Sequence, residues 1–449
     1  MITLLLLALA ADLPLEYAPA SAGNPLKGLV PYAGQGGDKF PHSLEFDYLP
    51  LNAVVVGDGK YDWAAFEKLL DAIAGRGHQA VVRFYLEYPA KPTGIPKYLL
   101  DAGLTVHTYV NTNNQPLPPA EVTTPDYADA RLRTCLANFV AALGKKHDGD
   151  PRLGFLTAGL LGTWGEWHTY PRGELFAPKP AQAELLDAFE AAFRKTPVLL
   201  RYPAGPNDPG YADTTGRRLG YHDDSFAWST LDTGRPADAW HFVPKLKAAG
   251  ADVWGRWKTQ PVGGEIRPEA WGQVFDPVPA NKQVQDFATC VAATHVTWLM
   301  DTGMFGDDKQ PPGRRERAEA AVRRMGYALH VPRVSVGPVV AGKLPVRVEL
   351  ENRGVAPFYA DWRPEYGLLR GYELVRTWPA TGKLTGLLPG DPARAWADSL
   401  DVTGLPVGDY KLLLRVPNPL PKGPPVRFAN RTQDADRAGW LTLAAVTLP

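Results

Sequence analysis

Two acidic residues in this chain sit in settings built for close approach. Glu166 lies in Gly162-Thr163-Trp164-Gly165-Glu166-Trp167-His168, the end of an apolar run that begins at Gly154. Such a run reads as a strand buried on both faces. Glycine lets backbone or ligand come near, and indole rings offer flat apolar faces. An acid between two of them is desolvated, which disfavours its charged form. Glu265 follows Pro261-Val262-Gly263-Gly264, with Trp254 and Trp257 upstream. Cleavage of a glycosidic bond takes two carboxyl groups flanking one bond, about 5 Å apart for retention of configuration and further apart for inversion. The expected roles are acid/base for Glu166 and nucleophile for Glu265.

Further side chains are expected around that pair. Glu87 closes one predicted strand, and Asp223-Asp224 follows Tyr221-His222 at the end of another. These acids rival the pair as catalytic groups or suit sugar hydroxyls, although Asp223 and Asp224 also suit the capping of a turn. Arg201 ends a third strand, where a guanidinium can hold a carboxylate. His168 is placed to tune Glu166 or bind a hydroxyl. Trp164, Trp167, Trp257 and Trp298 are expected to stack on sugar rings. His295 is a rim candidate, with a core histidine as the simpler alternative. Asn111, Asn113 and Asn114 are amides in a polar loop that could read hydroxyls. No His-x-x-x-His spacing, Walker loop, Gly-x-Gly-x-x-Gly turn or Gly-x-Ser-x-Gly elbow is present, so no metal or cofactor is expected.

Short apolar strands alternating with helices must position these residues. Strands are predicted at 24–32, 51–56, 80–87, 154–161, 197–202, 218–222, 251–254 and 295–300, with helices in most of the intervals. Eight such repeats predict a (β/α)8 TIM barrel, in which strand C-terminal ends carry the site. From about 332 the helical period disappears and β-runs separated by Pro and Gly predict a small antiparallel β-sandwich, Ig-like in type. The expected division is a leader over 1–22, a barrel over 23–331 and a sandwich over 332–449.

The chain has 449 residues, with Lys plus Arg equal to Asp plus Glu at 48 each. Zero net charge argues against nucleic acid as a partner. Cys135 and Cys290 fall in predicted helices and read as buried thiols rather than a disulfide framework. The apolar segment 1–10 is too short to span a bilayer. With Ala8-Leu9-Ala10 and Ala20-Ser21-Ala22 as peptidase sites, it predicts export to the periplasm or medium.

Several motifs together resemble a bacterial family catalogued as a domain of unknown function. They are Asn24-Pro25-x-x-Gly28, Gly165-Glu166-Trp167, Tyr221-His222-Asp223-Asp224, Pro261-x-Gly-Gly-Glu265 and Thr294-His295-x-Thr-Trp298. The resemblance covers about 24–449 and implies a glycosidase-like barrel with a C-terminal β-domain. The wider resemblance is to retaining glycoside hydrolases of the (β/α)8 clan. These carry the acid/base glutamate after the fourth strand and the nucleophile after the seventh, the places of Glu166 and Glu265. Where that clan has Asn before the acid/base, this chain has Gly165.

The expectation is therefore a retaining glycoside hydrolase acting on a poly- or oligosaccharide. The alternative is a non-catalytic carbohydrate-binding barrel, which predicts carboxyl groups more than about 10 Å apart. A structural surface protein predicts no aromatic-lined cleft.

Overall fold

The computed structural model describes residues 11–113, 117–306 and 309–449. Eight parallel strands pair in sequence order: β1 (Gly28–Val30), β2 (Leu44–Pro50), β3 (Gln79–Tyr85), β4 (Leu153–Thr157), β5 (Val198–Leu200), β6 (Gly220–Phe226), β7 (Val262–Ile266) and β8 (Trp298–Met300). The ring closes between β1 and β2, where the Phe46 amide donates to Pro31 O and the Ala33 amide to Phe46 O, both at 2.8 Å. This is a (β/α)8 barrel. Helices on its outside include Ala64–Gly75, Ala130–His147, Lys179–Ala192, Phe287–Thr294 and Arg314–Arg323. Asp129 and Asp286 cap two of them by accepting backbone amides at 2.8 Å.

Side chains along a strand alternate between the barrel interior and the helix layer. Leu44, Phe46, Val81, Phe155, Leu199, Trp298 and Met300 form the apolar interior. Two residues further along β2 to β4, and just beyond β5, the inward series becomes Tyr48, Arg83, Thr157 and Arg201. The barrel thus changes from apolar to charged within one layer, toward the strand C-terminal ends.

Two strands differ from expectation. The second is Leu44–Pro50, not 51–56, because its inward residues Leu44, Phe46 and Tyr48 are interleaved with acids. Outward-facing Glu45 is buried and neutralised by Arg76, with His78 at 2.7 Å and the Gly34 amide at 2.7 Å. His42 completes a His42–Glu45–His78 group there, but the Glu45 oxygens are already taken by these donors. The seventh strand is Val262–Ile266, whereas Ala251–Trp254 is a short helix. Its two glycines weaken the strand signal, yet Gly263 is required: a Cβ there would lie 2.3 Å from the Trp298 ring. Residues 104–109 contribute not to the barrel but to an antiparallel pair, Val106–Asn111 with Ala120–Pro125.

The C-terminal β-sandwich begins with β9 (Leu329–Val336) and continues through β10 (Lys343–Asn352), β11 (Glu365–Arg370), β12 (Glu373–Pro379), β13 (Arg394–Asp401), β14 (Gly408–Arg415) and β15 (Leu441–Leu448). One sheet holds β9, β10 and β13; the other is ordered β12-β11-β14-β15. Alternate residues such as Val346, Val348, Leu350, Leu412 and Leu414 meet in the core between them. The described segment 11–22, expected to belong to a removable leader, is packed into this fold. Ala11–Pro14 pairs antiparallel with β9, and Ala22 is buried. Cleavage after Ala22 would remove that strand, whereas cleavage after Ala10 keeps it. The apolar segment 1–10 lies outside the described residues.

The floor of the barrel, its strand N-terminal end, is latched to the sandwich. Asn24 exchanges two hydrogen bonds with the Arg427 backbone, at 2.9 and 2.8 Å. The buried Lys27 ammonium donates to Tyr327 O at 2.8 Å and Arg323 O at 3.1 Å. The Tyr327 hydroxyl donates to Pro25 O at 2.8 Å.

Candidate active site

The loop after β4 delivers Glu166 to the barrel mouth through an unusual backbone path. Leu160, Trp164 and Trp167 all have positive φ, at 70°, 57° and 59°. Non-glycine residues held there are strained, and such strain gathers at functional sites. Gly165 has φ 71°, and a Cβ on it would lie 3.0 Å from Phe84 O and 3.2 Å from the Gly159 Cα. A side chain at this position would crowd the Phe84 carbonyl and adopt a strained backbone. Glu87 braces the loop from below. Tyr127 donates its hydroxyl to Glu87 at 2.6 Å and accepts the Gly162 amide at 2.8 Å, and the Glu87 carbonyl accepts the Trp164 amide at 3.0 Å.

At the mouth, three carboxyl groups meet two guanidinium groups. Glu166, Asp224 and Glu265 each place an oxygen within 4.8 Å of the others. Arg83 donates to Asp224 at 2.6 Å, to Thr157 at 2.9 Å and to Glu166 at 3.4 Å. Arg201 donates to Glu166 through Nη1 and lies 3.4 Å from Asp224 through Nε. His222 Nδ1 stands 2.9 Å from Asp224, and His168 Nε2 stands 3.5 Å from Glu166. No guanidinium touches Glu265 among the described contacts, and it is only 8% exposed.

The electrostatics follow from that arrangement. Burial alone would raise the Asp224 carboxyl, but Arg83, His222 and Arg201 outweigh it and hold the group well below the carboxylate range. Burial lifts Glu265 well above its ordinary value, and the charges of Glu166 and Asp224 lift it further. Burial also lowers His168 and His222, leaving both imidazoles neutral near pH 7. The cluster then holds three acids against two permanent cations. It is balanced when one acid keeps its proton, and Glu265 is the acid without a cationic contact.

This cluster floors a cavity of about 280 Å³ walled by Tyr32, Tyr48, Tyr88, Trp164 and Trp271. A wider groove of about 770 Å³ adjoins it, sharing Asn113, His168, Arg201, Ser225 and Arg267. Aromatic side chains there include Tyr202, Tyr211, Trp228 and Trp240.

The expected residues divide sharply. Glu166, Glu265, Asp224, Arg201, Trp164 and His168 converge on the cavity. Trp167 does not: it is 1% exposed and donates its indole N–H to Ala158 O beneath the loop. Trp298 is buried inside the barrel against Phe155 and His222. Trp257 and His295 stack on each other at 3.5 Å on the barrel floor, where His295 Nδ1 meets Val355 O at 2.6 Å. Glu87 is fully buried and raised to about 7 by burial, against the pull of hydroxyls from Thr124 and Tyr127. Asp223 faces away from Asp224, accepting from Thr230 at 2.6 Å and the Ser225 amide at 3.0 Å, and burial raises it to about 7. Asn113 lines both cavities and Asn111 is buried; Asn114 lies outside the described residues. Glu265 lies within β7 rather than after it.

Sequence reading missed Arg83, Tyr32, Tyr48, Tyr88 and Trp271. The available signal for Arg83 was its parity with Val81 in an otherwise apolar strand. A charge at an inward position of a buried strand needs partners, and a barrel mouth supplies them. The two acids of the expected pair differ in their contacts. The acid touching both guanidiniums is Glu166, expected as the proton donor, whereas Glu265, expected as the anion, touches neither.

No family model and no curated protein matches this sequence. Solved structures with a similar fold include endo-glycoceramidase II from Rhodococcus sp. as its lactosyl-enzyme intermediate. That structure is 12% identical, covers 80% of this chain and 94% of its own, and has a TM-score of 0.40. The Pseudomonas stutzeri endoglucanase Cel5A is 12% identical over 68% of this chain and 97% of its own, with a TM-score of 0.37. The endo-beta-1,4-mannanase from Thermotoga petrophila is 8% identical over 89% and 96%, with a TM-score of 0.31. The likeness is one of barrel architecture.

Proposed function

We propose that this protein hydrolyses a glycosidic bond in a poly- or oligosaccharide with retention of anomeric configuration, using Glu166 and Glu265 as the carboxyl pair. The observation that carries this reading is their separation. An oxygen of each lies within 4.8 Å of the other, above a cavity walled by aromatic rings at the strand C-terminal ends. Retaining pairs stand about 5–5.5 Å apart, with one group attacking the anomeric carbon and the other moving the proton. A gap beyond about 10 Å would have favoured the binding-only alternative; the narrow one favours hydrolysis. The aromatic groove alongside suits further sugar rings of a chain, whose apolar faces stack on aromatic side chains. No cofactor enters the reaction.

The test is a panel of aryl glycosides and polysaccharides, with Glu166→Gln and Glu265→Gln as controls and NMR of the first-formed anomer. The expected result is hydrolysis that both substitutions abolish and a product of retained configuration. Equal turnover by wild type and both variants on every hydrolysed substrate overturns the reading.

Segment 1–10 is proposed to direct export, with cleavage that spares Ala11–Pro14. The mass of the exported protein checks this: a chain beginning at Ala11 is expected, and one beginning at Gly23 overturns it.

A further inference from the structure

The geometry points to an exchange of roles within the pair: Glu166, clamped by Arg83 and Arg201, is the nucleophile, and Glu265 is the proton donor. This inference rests on the retaining hydrolysis proposed above. It reverses the order implied by the resemblance to the clan.

The argument begins with where a proton can sit. The titratable and charged groups facing the pair are Arg83 from β3, Arg201 after β5, and His222 and Asp224 from β6, with His168 from the β4 loop; Arg267, which also lines the cavity, is paired with Glu269 at 2.9 Å. Tyr32, Tyr48 and Tyr88 close the other side. Both guanidiniums are permanent cations and both point at Glu166 and Asp224. A proton on Glu166 would leave them facing one anion while a second anion stood on Glu265 without a cationic contact. A proton on Glu265 pairs every buried charge.

The same distribution suits the chemistry. In the first step a Glu166 oxygen forms a bond to the anomeric carbon, and the bond from that carbon to the leaving oxygen breaks. The bonding pair stays on the leaving oxygen, which receives the Glu265 proton. Glu166 becomes a neutral ester and Glu265 an anion, so the cluster still holds two negative charges against two positive. In the second step Glu265 takes a proton from water, the water oxygen bonds to the anomeric carbon, and the ester bond to Glu166 breaks. The carboxylate returns to Arg201 and Arg83, whose pull on it makes Glu166 a good leaving group. Neither step needs an oxidant, a metal or a co-reactant.

Gly165 fits this assignment. As glycine, the residue before Glu166 has no side-chain amide to offer a sugar hydroxyl. Glu166 is instead steered by Arg83 and Arg201, as an attacking carboxylate should be.

The deciding experiment is trapping with 2,4-dinitrophenyl 2-deoxy-2-fluoroglycosides of whichever sugar the aryl-glycoside panel selects, followed by peptide mass spectrometry. The expected result is an ester on Glu166. An ester on Glu265 overturns the exchange but leaves retaining hydrolysis intact, whereas inverted product overturns both. Azide offered to the Ala variants gives a second reading. Glu265→Ala is expected to yield a glycosyl azide of retained configuration and Glu166→Ala one of inverted configuration; the opposite pairing overturns the exchange. A third readout needs no substrate: NMR titration of protein with ¹³C-labelled glutamate carboxyls, assigned with Glu265→Gln. It is expected to show Glu265 titrating well above the carboxylate range; a midpoint at its ordinary value overturns the exchange.

Discussion

The two ends of the barrel use the same kinds of residue and do opposite things with them. On the floor, Trp257 stacks on His295, and the Lys27 ammonium is spent on two backbone carbonyls. Each polar group there answers to the sandwich or to the chain next to it, and the result is a joint. At the mouth, Trp164, His168 and Glu166 border open space, and the charged groups answer mainly to one another. The result is a set of charges paired with one another beside a cavity. The difference lies in which end of a strand a residue occupies, and adjacency along the chain does not reveal that.

Substitutions should separate the two ends. The largest effects are expected from Glu166→Gln and Glu265→Gln, each lowering turnover by about 10²–10⁴-fold. Next is Arg83→Met. Removing one cation from a fully buried cluster leaves Asp224 undercompensated, and urea denaturation is expected to show a loss of about 3–5 kcal/mol. Glu265→Gln, which removes no cation, should not do this.

The pH dependence of stability should have opposite signs at the two ends. Burial lowers Lys27 from 10.5 to about 7, so between those values the unfolded chain binds more protons than the folded one. Stability gains with rising pH across that window, by a few kcal/mol at most, and Lys27→Met should flatten the rise. Glu265 is raised, so the folded chain keeps a proton that the unfolded chain releases above 4.5. Its contribution is complete below that value and fades as pH rises through the folded value; Glu265→Gln should remove the fall. Denaturation midpoints at several pH values check both.

Smaller effects should come from the tryptophans. Trp257→Ala is expected to cost ~1–3 kcal/mol of stability with hydrolysis unchanged within about twofold. Trp164→Ala is expected to do the reverse, lowering hydrolysis about tenfold, or ~1.4 kcal/mol of lost ring contact, at little cost to the fold. Equal activity loss in both would break the contrast between the ends.

The barrel was legible because apolar runs and helical periods alternate, and the sandwich because the helical period stops. The site was legible where an acid or cation stood at a strand end, as with Glu166, Asp224 and Arg201. It was illegible where depth decides. Trp164 and Trp167 are three residues apart in one loop, but its left-handed turns send one ring into the cavity and the other into the core. Asp223 and Asp224 are neighbours, and strand parity puts only the second inside the barrel. Trp298 looked like a platform, yet the space left by Gly263 draws its ring into the interior. Arg83 was hidden by its apolar neighbours, because its partners come from two other strand ends, those of β4 and β6, and no local pattern brings them together.

The antiparallel strand Ala11–Pro14 has a consequence for how this molecule comes to be made. Asp12 meets Ser335, 323 positions away, and Leu15 meets Pro332. This strand is synthesised before its partner and must therefore stay unpaired while the whole barrel is made. Until it docks, β9 presents a bare edge to other chains, and unprotected edges invite aggregation. A protease that nicked between Pro14 and Ala22 would recreate that exposure in the finished protein without touching a single residue of the barrel mouth.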